Sequence, residues 1–220
     1  MQGLSEVWPR VIALVVQPGV EFNHDHVVDY DSEKTRSLRQ LLTESRDLVF
    51  EAHSTDYQVP ETYKALVRDG FAILKVGPAL TFAMREALFS LVRIEEEIVS
   101  AEKRSCLPQI LDEVMLARPK YWDTHYRGSA EEQRLFRSFS YSDRIRYYWP
   151  ERKIQGAAEK LLQNLEEASI PETLLSGILP EQYRSIRSGH LHPSPYELVV
   201  DQIRQVLRPY AAACYGFSKD

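Results

Sequence analysis

The chain has 220 residues and a formal net charge of −5, with 44% hydrophobic and 27% charged residues, which is ordinary for a soluble globular protein. This acidity, without any dense basic cluster, argues against a nucleic-acid-binding protein. No apolar run is long enough for a signal peptide or a membrane span, and Cys106 and Cys214 lack metal-ligand spacing. We therefore expect a cytoplasmic protein with free thiols that contacts neither nucleic acid nor membrane.

Three strand–helix units are predicted in the first half of the chain. Residues 10–16 form its most β-prone run, and residues 48–50 and 71–74 are apolar without alternation, as parallel strands covered on both faces are. The amphipathic stretches between and after these runs predict helices at 32–44, at 61–68 and from about residue 80. The first half is therefore expected to be an α/β fold with a parallel sheet.

The second half is predicted to be helical. From residue 104 onward no β-prone run follows, and prolines divide the chain into expected helices at 110–117, 131–149, 154–166 and 195–214. Residues 136–149 carry six aromatic side chains and three arginines, which favours packing onto the α/β part or a protein interface over a nucleic-acid patch. We divide the chain into strand–helix units at 1–103 and a helical region at 104–220 that packs on them.

Polar side chains follow the second and third predicted strands. In parallel α/β folds, binding and catalytic groups collect where strands end and helices begin, so these two polar ends are expected to lie together. The candidate binding residues are Glu51, His53, Ser54, Asp56, Lys75 and Gly77.

Two interpretations of Lys75 stay open. In the first, Lys75 binds a phosphate together with the backbone amides of residues 77–80 and the N-terminus of the following helix. In the second, Lys75 points inward and is neutralised by Glu51 or Asp56. His53 is interpreted as a hydrogen-bonded histidine at a strand end rather than as a metal ligand.

A further histidine pair lies in the loop after the first strand. His24 and His26 stand among the acidic residues Glu21, Asp25 and Asp29, a composition that suggests a metal site. No third ligand of suitable spacing accompanies them, so a solvated loop is the favoured interpretation.

Five long stretches carry a family resemblance: RVIALVVQPGVEF, VFEAHSTDYQ, DGFAILKVGPALTFAMREALFSL, LDEVMLARPKYW and SYSDRIRYYWP. Over essentially the whole chain they resemble the C-terminal half of the non-catalytic subunit of class II D-tagatose-1,6-bisphosphate aldolase. The resemblance implies a partial TIM (β/α)8 barrel, consisting of its last three strand–helix units, followed by an all-helical C-terminal region. Family members have an N-terminal half with about five more strands.

The resemblance implies a supporting role in galactitol, tagatose or N-acetylgalactosamine catabolism. The partner would be the zinc-dependent catalytic subunit, and zinc is expected only there, with no cofactor in this chain. His53-Ser54-Thr55 looks like the remnant of one zinc-ligand turn of class II aldolases, and Lys75 to Ala79 resembles their phosphate loop. Gln17-Pro18-Gly19 stands where another ligand turn is expected, and proline has no lone pair to offer a metal.

Alternatives from other functional classes also stay open. A sugar-phosphate-processing enzyme is one, because family members are at times labelled tagatose-6-phosphate kinases, although no GxxxxGK(S/T) phosphate loop is present. A sugar-phosphate-binding module that uses Lys75 is another. In each case a three-stranded wedge of barrel leaves apolar side chains uncovered, so self-association is expected.

Overall fold

The computed structural model describes residues 6–44 and 48–216. In these ranges the strands are β1 (Ala13–Val16), β2 (Glu21–Phe22), β3 (Val27–Val28), β4 (Val49–Ala52) and β5 (Phe71–Leu74). The helices are α1 (Arg36–Glu44), α2 (Pro60–Arg68), α3 (Pro78–Ile98), α4 (Leu107–Ala117), α5 (Ala130–Phe139), α6 (Arg152–Ala168), α7 (Glu172–Ile178), α8 (Pro180–Arg187) and α9 (Pro195–Tyr215). None of the helices in this described part has the length and apolarity needed to cross a membrane.

The three predicted strands form one parallel sheet in the order β1, β4, β5. Ala13 lies opposite Val49, and Phe50 lies opposite Phe71, with a register irregularity between Phe50 and Glu51. Parallel neighbours need long connections, which here contain α1 and α2. The α/β prediction for the first half is therefore confirmed. In the loop after β1 the strands β2 and β3 pair as a short antiparallel hairpin, and the side chains of Asp25 and His26 are exposed there, as expected of a solvated loop.

The two faces of the parallel sheet differ in burial. Phe50, Ala52 and Phe71 are buried with Leu66 of α2 and form the small core of this part of the protein. On the opposite face Val15 is 61% exposed, and Val49 and Ile73 are each 38% exposed. Among the described residues the sheet is therefore packed on one face, whereas the sequence pattern predicts strands covered on both faces.

A polar cluster around the buried Asp69 adjoins this small core, against which Tyr30 packs. Asp69, which follows α2, accepts hydrogen bonds from the hydroxyls of Tyr30 (2.8 Å) and Ser32, and Arg39 Nη1 lies 3.2 Å from its other oxygen. Burial acts to raise the pKa of Asp69, but these donors and the charge of Arg39 outweigh it and hold the pKa below its usual value. The cluster joins α1 and the segment before it to the end of α2.

The chain divides into two compact units. The first contains the described residues before Leu80 together with those after Val206, and the second contains residues 80–206. The expected boundary at residues 103 and 104 falls inside the second unit. The physical reason is that α3 contributes Leu88, Leu91 and Ile94 to a large helical core that also contains residues of α4, α6 and α9.

One predicted helix is wrong in its extent. The helix expected at 131–149 begins as α5 with a capping box between Ser129 and Glu132, but it ends at Phe139. Ser140 is extended, and Tyr126 OH donates to the Ser142 carbonyl and accepts from the Arg144 amide. Serine and aspartate side chains compete with helical hydrogen bonding, which favours this break. Residues 145–147 then form only a short 3-10 turn.

Candidate functional site

The carboxyl ends of the three parallel strands meet at one edge, as the sequence predicts. The His53 amide donates to the Val16 carbonyl (2.9 Å), and the Lys75 amide donates to the Ala52 carbonyl (3.0 Å). Thr55 donates to the Lys75 carbonyl through both its amide (3.1 Å) and its hydroxyl (2.9 Å). The loops that follow β4 and β5 are therefore hydrogen-bonded side by side.

Lys75 and His53 face each other at this edge. Lys75 Nζ lies 3.4 Å from His53 Nδ1, and Lys75 is exposed whereas His53 and Glu51 are half-buried. Within the described ranges, Lys75 forms no ion pair with Glu51 or Asp56. The interpretation of Lys75 as an inward lysine neutralised by either acid does not fit this geometry.

Asp56 caps the N-terminus of α3. Its carboxylate is buried, and its Oδ1 accepts hydrogen bonds from the amides of Gly77 (2.8 Å) and Ala79 (2.9 Å). Pro78, between them, has no amide hydrogen. A negative charge at a helix N-terminus is favourable, so the carboxylate takes the place that the sequence assigns to a phosphate. Gly77 and Asp56 thus lie together as predicted, but they hydrogen-bond to each other, whereas the sequence analysis expected both to contact a bound sugar phosphate.

The loop that carries Ser54 and Asp56 has an unusual backbone. Ser54 (φ 58°) and Tyr57 (φ 63°) both adopt the left-handed region, which costs free energy for residues other than glycine. The intervening Thr55 is fixed from α9, because Tyr210 OH donates to its carbonyl (2.9 Å) and lies 3.0 Å from its hydroxyl. These buried hydrogen bonds therefore stabilise the strained conformation of the loop.

Two tyrosines pack behind this loop, and the sequence analysis did not predict a role for either of them. The ring centroids of Tyr63 and Tyr210 lie 4.1 Å apart, and burial raises the pKa of both phenols. Both side chains are therefore neutral at physiological pH and serve as packing and hydrogen-bonding groups. Tyr210 lies 155 positions from Thr55, so no local sequence pattern could have predicted this contact. Thr55 itself could have been included among the candidate residues, because it lies between Ser54 and Asp56.

The described residues do not fit a zinc site. Among them no group of three or more His, Cys, Asp or Glu side chains is arranged to hold a metal ion. Pro18, which follows β1, is buried and offers no ligand atom, and the Lys75 ammonium lies beside the ring of His53. His26 instead closes the β2–β3 hairpin through Asn23 and Asp25, at 3.2 and 3.0 Å.

Comparison with known proteins agrees with the resemblance seen in the sequence. A crystal structure of a probable tagatose 6 phosphate kinase from Sinorhizobium meliloti 1021 is 47% identical, with a TM-score of 0.91. The match covers 96% of the present chain and 55% of that chain, so the present chain spans just over half the length of this solved relative. A model of the family described as D-tagatose-1,6-bisphosphate aldolase subunit GatZ/KbaZ-like matches residues 1–215. Because that match covers nearly the whole sequence, the chain belongs to the D-tagatose-1,6-bisphosphate aldolase subunit GatZ/KbaZ-like family.

Proposed function

We propose that this chain is part of a non-catalytic subunit that binds and stabilises the zinc-dependent catalytic subunit of a cytoplasmic tagatose-1,6-bisphosphate aldolase. The observation that carries the proposal is the family match over residues 1–215. The same proposal assigns the β1, β4, β5 sheet to three of the eight strand–helix units of a TIM barrel. The consecutive parallel order of the strands supports that assignment.

The chemistry of the strand ends supports a non-catalytic role. Cleavage by a class II aldolase produces an enediolate, which a metal ion stabilises as a Lewis acid, and catalytic zinc takes three protein ligands. The described residues provide no such set, and Pro18 stands where the family resemblance expects a ligand. We therefore assign zinc to the catalytic partner alone.

The partner assay tests this proposal directly. The purified chain is expected to show no cleavage of tagatose 1,6-bisphosphate, whereas the catalytic subunit mixed with it melts several degrees higher. A ligand at a hundred times its Kd stabilises by about 2.7 kcal/mol, which accounts for a shift of this size. Serum albumin at equal concentration is the control. Cleavage by the chain alone, or an unchanged melting temperature of the catalytic subunit, contradicts the proposal.

Self-association belongs to the same proposal. Val15, Val49 and Ile73 present apolar area on the uncovered sheet face, on either side of Glu51, and exposed apolar area of this kind favours association. Light scattering of the chain alone over a dilution series, run beside the partner assay, separates self-association from binding of the catalytic subunit.

A second candidate function is sugar-phosphate binding at the strand ends. The observation that favours it is the exposed ammonium of Lys75 beside His53, with no carboxylate paired to it among the described residues. The solved relative is named as a probable tagatose 6 phosphate kinase. Kinase chemistry is not part of this candidate, because the sequence has no phosphate loop of the GxxxxGK(S/T) type.

Calorimetric titration with tagatose 6-phosphate tests the second candidate. Replacing Lys75 by methionine removes the only cationic group assigned to the phosphate and is expected to weaken binding roughly tenfold or more. Lys64→Met, at an exposed position of α2, is the matched control and is expected to change the affinity less than about twofold. Equal effects of the two substitutions, or no binding by the unmodified chain, exclude this candidate.

A further inference from the structure

Two exposed tyrosines stack on the surface of the second unit. Tyr121 and Tyr147 have ring centroids 5.2 Å apart and ring planes 25° apart, and they are 40% and 41% exposed. They come from the 3-10 turns Pro119–Tyr121 and Ile145–Tyr147. Together with Lys120, Arg144 and Arg146 they form what we call the tyrosine–cation patch.

Three cations lie over these two rings. Lys120 Nζ is 5.3 Å from the centre of the Tyr121 ring, and the guanidinium carbons of Arg146 and Arg144 are 4.8 and 5.8 Å from that of Tyr147. Arg146 also donates a hydrogen bond to Tyr147 OH (2.9 Å). Stacking of this kind holds the guanidinium planes in place. Both arginines are half-buried and Arg144 Nε is enclosed, so contact with an outside acceptor falls to the terminal Nη groups.

The cations of the patch form no direct ion pair with a carboxylate in the described part of the chain. Across the described ranges, Lys120, Arg144 and Arg146 form no ion pair. The neighbouring Glu151 pairs with Arg118 instead. The charge of Arg146 also stabilises the carboxylate of Asp143, but that carboxylate is buried and forms no direct ion pair with the patch. Three cations without a direct carboxylate partner among the described residues are therefore concentrated at one place in a chain whose net charge is −5.

Buried neighbours fix the patch in place. Tyr148 is 1% exposed, packs edge-on against Tyr121 at 5.5 Å, and donates from its hydroxyl to the Arg118 carbonyl (2.6 Å). Ile145, in the same turn as Tyr147, is also buried. A surface that is ordered before binding loses less conformational entropy when a partner docks.

We infer that the tyrosine–cation patch is the docking surface for an acidic segment of a partner protein. Carboxylates of that segment meet the guanidinium edges and the ammonium, and an apolar side chain lies on the tyrosine rings. Tyrosine and arginine are enriched among the residues that dominate interface energies, and complementary charge accelerates and orients association. The inference rests on the proposed function, in which the partner is the catalytic aldolase subunit.

Charge decides between an acidic protein segment and a nucleic acid. Stacked aromatics beside cations also accept unpaired bases, but such sites follow the phosphate backbone along a positively charged groove. The patch contains three cations, and the remainder of the chain is acidic overall. A short acidic segment is complementary in charge to the patch. A long polyanion would extend past the patch and be repelled by the net negative charge of the rest of the chain.

The experiment compares two charge reversals. Arg146→Glu changes the patch, and Arg134→Glu makes the same change at an exposed position of α5 that forms no ion pair with any described residue. Calorimetric titration with the purified catalytic subunit is expected to show at least a roughly tenfold higher Kd for Arg146→Glu and less than about a twofold change for Arg134→Glu. Circular dichroism melts confirm folding, and Tyr147→Ala provides a second disruption without charge reversal.

Each outcome decides the inference. Equal affinity of the unmodified chain and both patch variants overturns the docking surface and leaves the proposed function intact. If the unmodified chain does not bind the catalytic subunit, the proposed function fails, and a short glutamate-rich peptide containing leucine becomes the probe. Peptide binding that Arg146→Glu abolishes supports the patch. Absence of peptide binding, or tighter binding of a short oligothymidine, overturns it.

Discussion

Replacing Glu95 by alanine is expected to lower the free energy of unfolding by about 4 kcal/mol, because several buried donors lose their acceptor together. Glu95 lies in α3 and is fully buried. Its Oε1 accepts from the Ser105 amide (2.9 Å) and from Asn164 Nδ2 (2.6 Å), and its Oε2 accepts from the Ser105 hydroxyl (2.6 Å). One carboxylate therefore joins α3, the segment before α4, and α6.

Urea denaturation measures this effect. Glu97→Ala, two residues further along the same helix at an exposed position, is the control and is expected to change stability by less than about 0.5 kcal/mol. Glu95→Gln is expected to fall between the two, since its amide oxygen still accepts while its NH2 group faces donors. A loss for Glu95→Ala as small as that for Glu97→Ala would show that the three hydrogen bonds contribute no net stability.

The second large effect is expected for Asp56→Ala, at about 2 to 3 kcal/mol. The substitution removes the cap of α3 and leaves the partly buried amide of Gly77 and the buried amide of Ala79 without this acceptor. Asp56→Asn keeps one acceptor oxygen and is expected to cost roughly half as much, because it loses the charge but not the hydrogen-bond geometry.

Thermal melts of the Asp56 variants, compared with Asp29→Ala, check this expectation. Asp29 is exposed and precedes the Asp69 cluster, so its removal is expected to matter little. If Asp56→Ala leaves the melting temperature unchanged, the carboxylate is not a structural cap, and a role in ligand binding regains support.

The sequence was sufficient to predict the strands, but not which acceptor the backbone amides after β5 would bind. Apolar runs and their spacing predicted β1, β4 and β5, and the parallel arrangement brought His53 and Lys75 to one edge. Which acceptor the amides of Gly77 and Ala79 would meet depended on the loop that carries Asp56. That loop contains two left-handed residues that are not glycine, and residue type gives no signal for such a backbone.

Long-range partners were the other feature that the sequence could not supply. Tyr210 supports Thr55 from a distant helix, and α3 joins the helical core through a face that local periodicity cannot assign to one partner or another. The break after Phe139 was missed because aromatic residues and arginines continue a helical pattern through residues 144–149, while Ser140 and Ser142 favour a turn.

The parallel arrangement of the sheet has a kinetic consequence. Ala13 pairs with Val49 and Phe50 with Phe71, so each pairing closes a long loop before any backbone hydrogen bond between the strands can form. Contacts between the consecutive helices α7 and α8 are local in sequence and form earlier. We therefore expect the helices of residues 80–206 to become ordered first during refolding, while the apolar strands remain exposed to intermolecular pairing for longer.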